Sequence, residues 1–247
     1  MGEEGHDHCR VCKSQCRPDG GAYFVYEEDG EYKAKQTENA EIEESDTDAA
    51  TVIQYALDNI LDEGGYVELG AFTATLSFAP AADTDDQGMV GQGRENTVLE
   101  TASDISDSDL FTRKGDDADN RLKNFLLSDL TFDGGGNVAD CVDLEHVHHL
   151  KDVFDTGGTR GFHIGDMFFF RAEGLEARDN DRHGYLCDHN LNEGMFIQCR
   201  ANNNGEGSTG HAGWRLNSQG GGGIPRGLTW VGAHASDNDP AGFSSKA

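Results

Sequence analysis

Gly161-Phe162-His163-Ile164, Gly184-Tyr185-Leu186-Cys187, Gly213-Trp214-Arg215-Leu216 and Gly242-Phe243-Ser244-Ser245 are four versions of one step, a glycine followed by an aromatic residue inside a short strand-like run. Asp140-Cys141-Val142-Asp143-Leu144 reads as the rung before them. The glycines stand 23, 29 and 29 residues apart, an irregular spacing that suits a solenoid with turns of variable length. Asn-rich pieces (Asp179-Asn180-Asp181, Asn202-Asn203-Asn204 and Asp237-Asn238-Asp239) precede three of the steps. Asn tolerates turn conformations, and stacked Asn side chains can hydrogen-bond from rung to rung. Period-two alternation sends Val142, Phe162, Tyr185, Trp214 and Phe243 inward as one stack, with Leu144, Ile164, Cys187 and Leu216 as the neighbouring inner column. A doubly wound α/β fold needs long amphipathic helices between its strands, and none is visible.

Upstream, Ile53, Ala56, Leu57, Ile60 and Leu61 fall at helical spacing, with Ser45, Asp46 or Thr47 as the cap and Gly64-Gly65 as the stop. Strand-like pieces follow at Tyr66–Leu69, Phe72–Phe78, Gly88–Gly93 and Thr97–Glu100. The order of these signals is informative. Ala49-Ala50-Thr51-Val52-Ile53-Gln54-Tyr55-Ala56-Leu57, then Gly64-Gly65-Tyr66-Val67-Glu68-Leu69, then Gly91-x-Gly93 with Thr97-Val98-Leu99, resembles the opening of pectate-lyase-like β-helix proteins. The resemblance covers about fifty residues. It implies an all-β, right-handed parallel β-helix closed at its N-terminal end by the helix. It implies little about activity, since that superfamily holds lyases, hydrolases, epimerases, isomerases and non-catalytic viral spikes. Residues 1–45 read as an attachment arm, with a short strand at Tyr23–Tyr26 and an acidic linker over Glu27–Ser45; residues 46–247 read as the β-helix with its capping helix.

Of the 247 residues, 46 are Asp or Glu against 19 Lys or Arg, and only seven are Lys. A net charge of −27 repels phosphate backbones and anionic headgroups, so neither nucleic acid nor membrane is an expected partner. Disorder would also explain so much acid, but 36% apolar residues in ordered, aromatic-bearing units argue against it. The remaining explanation is a surface suited to concentrated salt, where the Debye length shrinks to about 3 Å at 1 M and self-repulsion is screened. This is the haloarchaeal pattern. The start, Met1-Gly2-Glu3-Glu4, carries no secretory signal, and no apolar run is long enough to span a bilayer. Cys141, Cys187 and Cys199 fall within the repeats and read as small buried hydrophobes.

Four groups of residues can carry chemistry. His6, His8, Cys9, Cys12 and Cys16 offer three thiolates and an imidazole for a structural Zn²⁺, one histidine being spare; the alternatives are a reduced arm or an intermolecular disulfide. On the outward column of the rungs, Asp143, His163, Leu186, Arg215 and Ser244 follow one another, about 4.8 Å apart. Asp143, His163 and Arg215 on one groove can recognise a sugar or do acid–base work on it, with a plain solvated face as the alternative. Arg182 and His183 lie beside the same rungs as further sugar contacts, or simply serve the turn. Asp166, Asp179, Asp181 and Asp188 are candidate Ca²⁺ ligands, although acidic neighbours arise by chance in a chain with 28 Asp. The Asn-Thr-Asp, Asp-Asp and Gly-His-Gly set that a polygalacturonase-like member would carry is missing; Gly210-His211-Ala212 departs from it.

Three functions compete. The reading favoured here is a structural or receptor-binding module of a haloarchaeal virus particle (spike, tail fibre or turret) that presents its surface to host glycans. A polysaccharide lyase or glycoside hydrolase is the second, and a cell-surface adhesin or scaffold the third. Gly242 to Ala247 offers no closing helix over the last rung, so either the natural chain continues or another subunit or partner, by preference in a homo-trimer, is the expected cover, while the N-terminal arm is the expected attachment point for another virion protein. The salt reading is testable: the fold should unfold or aggregate below a few tenths molar NaCl. A melting temperature that stays flat from roughly 0.1 to 3 M NaCl would remove it.

Overall fold

The computed structural model describes residues 22–60, 64–82, 87–102, 109–113, 125–136, 138–145, 147–188, 191–205, 211–217, 225–239 and 241–246. Within them the chain forms a parallel β-helix with three faces. Sheet A has ten strands, sheets B and C seven each, and each coil visits A, B and C in turn. One coil is Arg171–Glu173, Glu176–Arg178 and His183–Cys187; the next is Met195–Ile197, Arg200–Asn202 and Ala212–Asn217. Every pairing between coils is parallel. No helix of the described residues is long and apolar enough to cross a membrane.

The registers follow the alternation of the sequence. On sheet C, Val142 pairs with Phe162, Phe162 with Tyr185, Tyr185 with Trp214 and Trp214 with Phe243. Phe162, Tyr185 and Trp214 are fully buried, and the Tyr185 and Trp214 rings lie parallel at 3.8 Å. Phe243 stacks on Trp214 at 5.7 Å and is 53% exposed. Opposite these rings, the inner column of sheet B is small: Asp155, Ala177, Ala201 and Ala235. The glycine of each step answers the same crowding. A Cβ on Gly184 would sit 3.0 Å from the Ala177 methyl and 2.8 Å from Asn204 Nδ2, and one on Gly213 equally close to Ala201 and Asn238.

That neighbouring asparagine column is a ladder. Asn180 Nδ2 donates to Asn204 Oδ1 at 3.0 Å, and Asn204 Nδ2 to Asn238 Oδ1 at 2.9 Å. These amides also bind backbone at the corner: Gly158 N donates to Asn180 Oδ1, and Asn238 Nδ2 donates to Ala201 O. The corner from sheet A to sheet B turns on one left-handed residue per coil, Asp129, Asp152, Gly174, Gln198 and Gly232. The N–H of each of the middle three donates to the carbonyl that ends the next coil's sheet A strand, so the ladder of hydrogen bonds continues through the turn.

The N-terminal part differs from the linker expected of it. Tyr23–Glu28, Glu31–Gln36 and Ile42–Asp46 are strands, and the first pairs in parallel with Val67–Leu69. They extend sheet A beyond the first coil. Their acidic residues face outward while Tyr23, Val25 and Ala34 are buried, so the charge signalled an exposed sheet face and not a linker. The helix runs Ala49–Asp58 and is capped by Asp48, which accepts from Ala50 N at 3.1 Å, rather than by Ser45, Asp46 or Thr47. Asp46 instead accepts the N–H of Asp48. The helix ends at Asn59, before Gly64-Gly65, and buries Val52, Ile53, Ala56 and Leu57.

Asp155 breaks the pattern of its column. Its carboxyl is fully buried, one oxygen accepts from Asn180 Nδ2 at 2.8 Å, and Oδ2 has no hydrogen-bond partner. Burial raises its pKa well above the carboxylate range, against the opposing bond from Asn180. The folded state therefore keeps this acid neutral while the unfolded chain ionises above about pH 4, so Asp155 costs stability increasingly as pH rises. Asp155→Asn extends the amide ladder and should stabilise the fold by about 1–3 kcal/mol at pH 7, with the gain shrinking toward pH 4. Thermal melts of both proteins across that range check it; a gain independent of pH would mean the carboxyl is charged in place.

Candidate functional site

The outward column of sheet C holds the residues that the alternation placed there. Asp143 pairs with His163, His163 with Leu186, Leu186 with Arg215 and Arg215 with Ser244. Asp143 and His163 touch: His163 Nδ1 lies 3.1 Å from Asp143 Oδ1. The same nitrogen is 3.5 Å from Asp140 Oδ2, and Nε2 is 3.0 Å from Asp188 Oδ1. Arg160 closes the group as a fork on Asp140, with Nη2 donating to Oδ2 at 2.7 Å and Nε against Oδ1. Asp140 is 1% exposed and Asp143 3%.

Three members of this group, Asp140, Arg160 and Asp188, were not placed with His163 from sequence. Asp140 and Arg160 pair at the first position of their strands, where the chain is still leaving the corner and strict alternation does not hold. Asp188 follows the strand His183–Cys187, outward by parity; among the acids considered for Ca²⁺, it is the one that reaches the groove. Its place in the column follows Glu145 and Gly165, and Gly165 has no side chain to hold it away from His163. The pattern Asp-x-x-Asp before Leu144, followed twenty residues later by Arg-x-x-His, was the available signal.

Charge decides what the group can do. Burial alone would lower the His163 pKa, but its contacts with Asp140, Asp143 and Asp188 outweigh this and push it up to about 12. His163 is thus an imidazolium throughout the physiological range, with Nε2 hydrogen-bonded to Asp188 and Nδ1 at ion-pair distance from Asp143. Leu186, one rung along and 6% exposed, keeps that side dry. Asp140, Asp143 and His163 also offer ligand atoms within 4.8 Å of one another, a geometry able to hold one divalent cation. In the described arrangement, Arg160 and protonated His163 bring the positive charge that such an ion would supply.

The remaining candidates lie elsewhere. Arg215 is two rungs from His163, half-buried, with Nη1 3.4 Å from Ser244 Oγ. His183 serves the corner: its Nδ1 accepts the N–H of Ala212 at 3.1 Å, and burial pulls its pKa down to about 4. Arg182 beside it is exposed. Asp179 and Asp181 precede the strand His183–Cys187 and Asp188 follows it, about 16 Å away along five strand residues. These acids and Asp166 therefore do not gather at one end of the sheet. His6, His8, Cys9, Cys12 and Cys16 lie outside the described residues.

Because His163 has a raised pKa, its contribution to stability is complete below about pH 6.5 and is lost as pH rises toward 12. An NMR titration should show no deprotonation of its ring between pH 5 and 9. His163→Ala leaves three buried carboxylates against one arginine and should cost about 3–5 kcal/mol. A titration midpoint near 6.5 would break this assignment.

No protein-family model matches the sequence, and no curated protein does. Solved structures do. ORF18 of Geobacillus virus E2 superposes with a TM-score of 0.65 at 17% identity, covering 83% of this chain and 49% of that one. The A-module of the Azotobacter vinelandii mannuronan C-5 epimerase AlgE4 gives 0.55 at 19%, over 81% and 69%. Gene product 12 of bacteriophage phi29 gives 0.58 at 12%, over 81% and 32%. The chain thus spans about half the length of the Geobacillus virus protein and a third of the phi29 one. What the chain shares with all three is their fold, a parallel β-helix.

Proposed function

We propose that this chain is a glycan-recognition module on a virus particle from a salt-rich habitat, and that sheet C binds sugar without cleaving it. The observation that supports this is the position of His163, whose ring lies between Asp143 and Asp188 and contacts both. A general acid or base must change its protonation near the working pH, and a group held near 12 does not. Asp143 and Asp188 flank the ring, and the imidazole itself fills the gap where a water and a glycosidic bond would go. What the groove offers instead is a fixed polar surface with the partly exposed His163 edge and the half-buried Arg215 guanidinium, groups that can hold hydroxyls in place.

The viral assignment rests on two supports: phage proteins among the structural neighbours and the acidic, lysine-poor sequence. A trimer, with Phe243 of the last described coil covered by neighbouring copies, is part of the same proposal. Polysaccharide cleavage is the second reading, supported by the same fold in the AlgE4 epimerase module and by carboxylates on both sides of His163.

A panel of neutral and acidic polysaccharides, incubated with the protein in molar NaCl, separates the two. The expected result is saturable retention without shortened chains or unsaturated ends, and loss of retention in Asp143→Asn. Product release that Asp143→Asn abolishes would establish the enzyme instead.

A further inference from the structure

On sheet A, three coils place nine outward positions in a regular grid. Its rows are Phe169-Arg171-Glu173, Glu193-Met195-Ile197 and Gly227-Thr229-Val231, held in register by the pairing of Arg171 with Met195 and of Met195 with Thr229. The corner keeps that register, since Phe168 bridges to Asn192 and Asn192 to Arg226. Phe169, Met195 and Val231 are 70%, 39% and 49% exposed and occupy the diagonal of the grid. With rungs about 4.8 Å apart and outward residues about 6.6 Å apart along a strand, each stands about 8 Å from the next, close enough to make one apolar ridge.

Two features set this ridge apart from scattered surface hydrophobes. Phe169 takes φ 57, a left-handed conformation that bulky side chains rarely adopt, where the next two coils carry Glu193 and Gly227. Its ring recovers little burial within the chain in return for that strain. The charges beside the ridge are also each other's counterparts. Arg171, tied to Glu173 at 2.8 Å, lies on one side, and Glu193 holds the matching position on the other. A two-fold axis along the diagonal exchanges the two sides, so Arg171 of one copy meets Glu193 of another, twice over. The same turn sets Ile197 against Thr229, and Glu173 against Gly227, where no side chain stands in its way.

We infer that this face of sheet A joins two copies of the chain, ridge on ridge, with the Arg171–Glu193 pairs closing the contact on both sides. A chain of net charge −27 repels its own copies over most of its surface, whereas here each charge beside the ridge meets its opposite. The grid covers roughly 300 Å² per copy, well below the roughly 800 Å² of a standard interface, so the contact is weak and reversible. Its axis crosses the solenoid obliquely. The contact is therefore separate from the trimer proposed above, and it gives even-numbered assemblies whether or not that trimer forms.

Sedimentation equilibrium of the intact chain, from about 10 μM to 1 mM in about 0.5 M NaCl, tests the inference. A reversible doubling of mass is expected, from one copy to two or from three to six. Met195→Asp sets two carboxylates against each other on the axis and should weaken the doubling about tenfold or more. Phe169→Gly should weaken it too while the thermal melt of the fold persists, because glycine takes the left-handed corner without strain. Arg171→Glu alone and Glu193→Arg alone should each weaken it, and an equimolar mixture of the two should restore it, since every pair across the axis then joins opposite charges. No doubling up to about 1 mM, or doubling unchanged in Met195→Asp, overturns the proposal. A mixture no better than either variant overturns the two-fold arrangement. A trimer that never doubles overturns this contact and keeps the trimer, whereas a monomer at every concentration overturns both.

Discussion

Inside a three-faced solenoid the cross-section of each coil has to hold a fixed volume, and that constraint shapes the rest. Sheet C spends it on rings: Phe162, Tyr185 and Trp214, with the last two in parallel contact. Sheet B must then be nearly bare, and its column is Asp155, Ala177 and Ala201. The residue before each ring has no room for a Cβ, because the alanine methyls and the asparagine amides stand where one would go. From Tyr185 to Phe243 one large–small division therefore fixes the glycine, the aromatic, the alanine and the asparagine of each coil. Earlier coils divide the space differently, with Leu99 and Phe132 in the sheet B column and Val142 on sheet C.

Stability and surface chemistry are divided between faces. The interior is apolar apart from a few committed groups, of which the Asn180–Asn204–Asn238 ladder is satisfied and the Asp155 carboxyl is not. The outside carries the acid. Where acid is buried, as at Asp140, Asp143 and Asp188, it is held by a histidine and an arginine rather than left to solvent. This arrangement fixes each buried charge by its neighbours rather than by solvent.

Alternation and glycine–aromatic steps made much legible in advance. The inner columns, the outer column Asp143–His163–Leu186–Arg215–Ser244, the asparagine ladder and the helix were all readable, because each depends on period two or on a local backbone need. Errors came where charge or parity was the only guide. Glu27–Ser45 looked like linker because an outward strand face and a linker have the same composition, and only pairing with Val67–Leu69 tells them apart.

The sequence by itself determined the solenoid, its rung order and which face His163 would occupy, since these follow from side-chain size and a two-residue period. Only the tertiary structure decided what His163 is. Asp140 and Arg160 sit at strand starts where alternation lapses, and Asp188 comes from the following coil. Their meeting depends on the lateral spacing of three coils and on the absence of a side chain at Gly165. It is those three carboxylates, 3.0 to 3.5 Å from one ring, that outweigh burial and push the pKa of a histidine able to titrate near neutrality up to about 12.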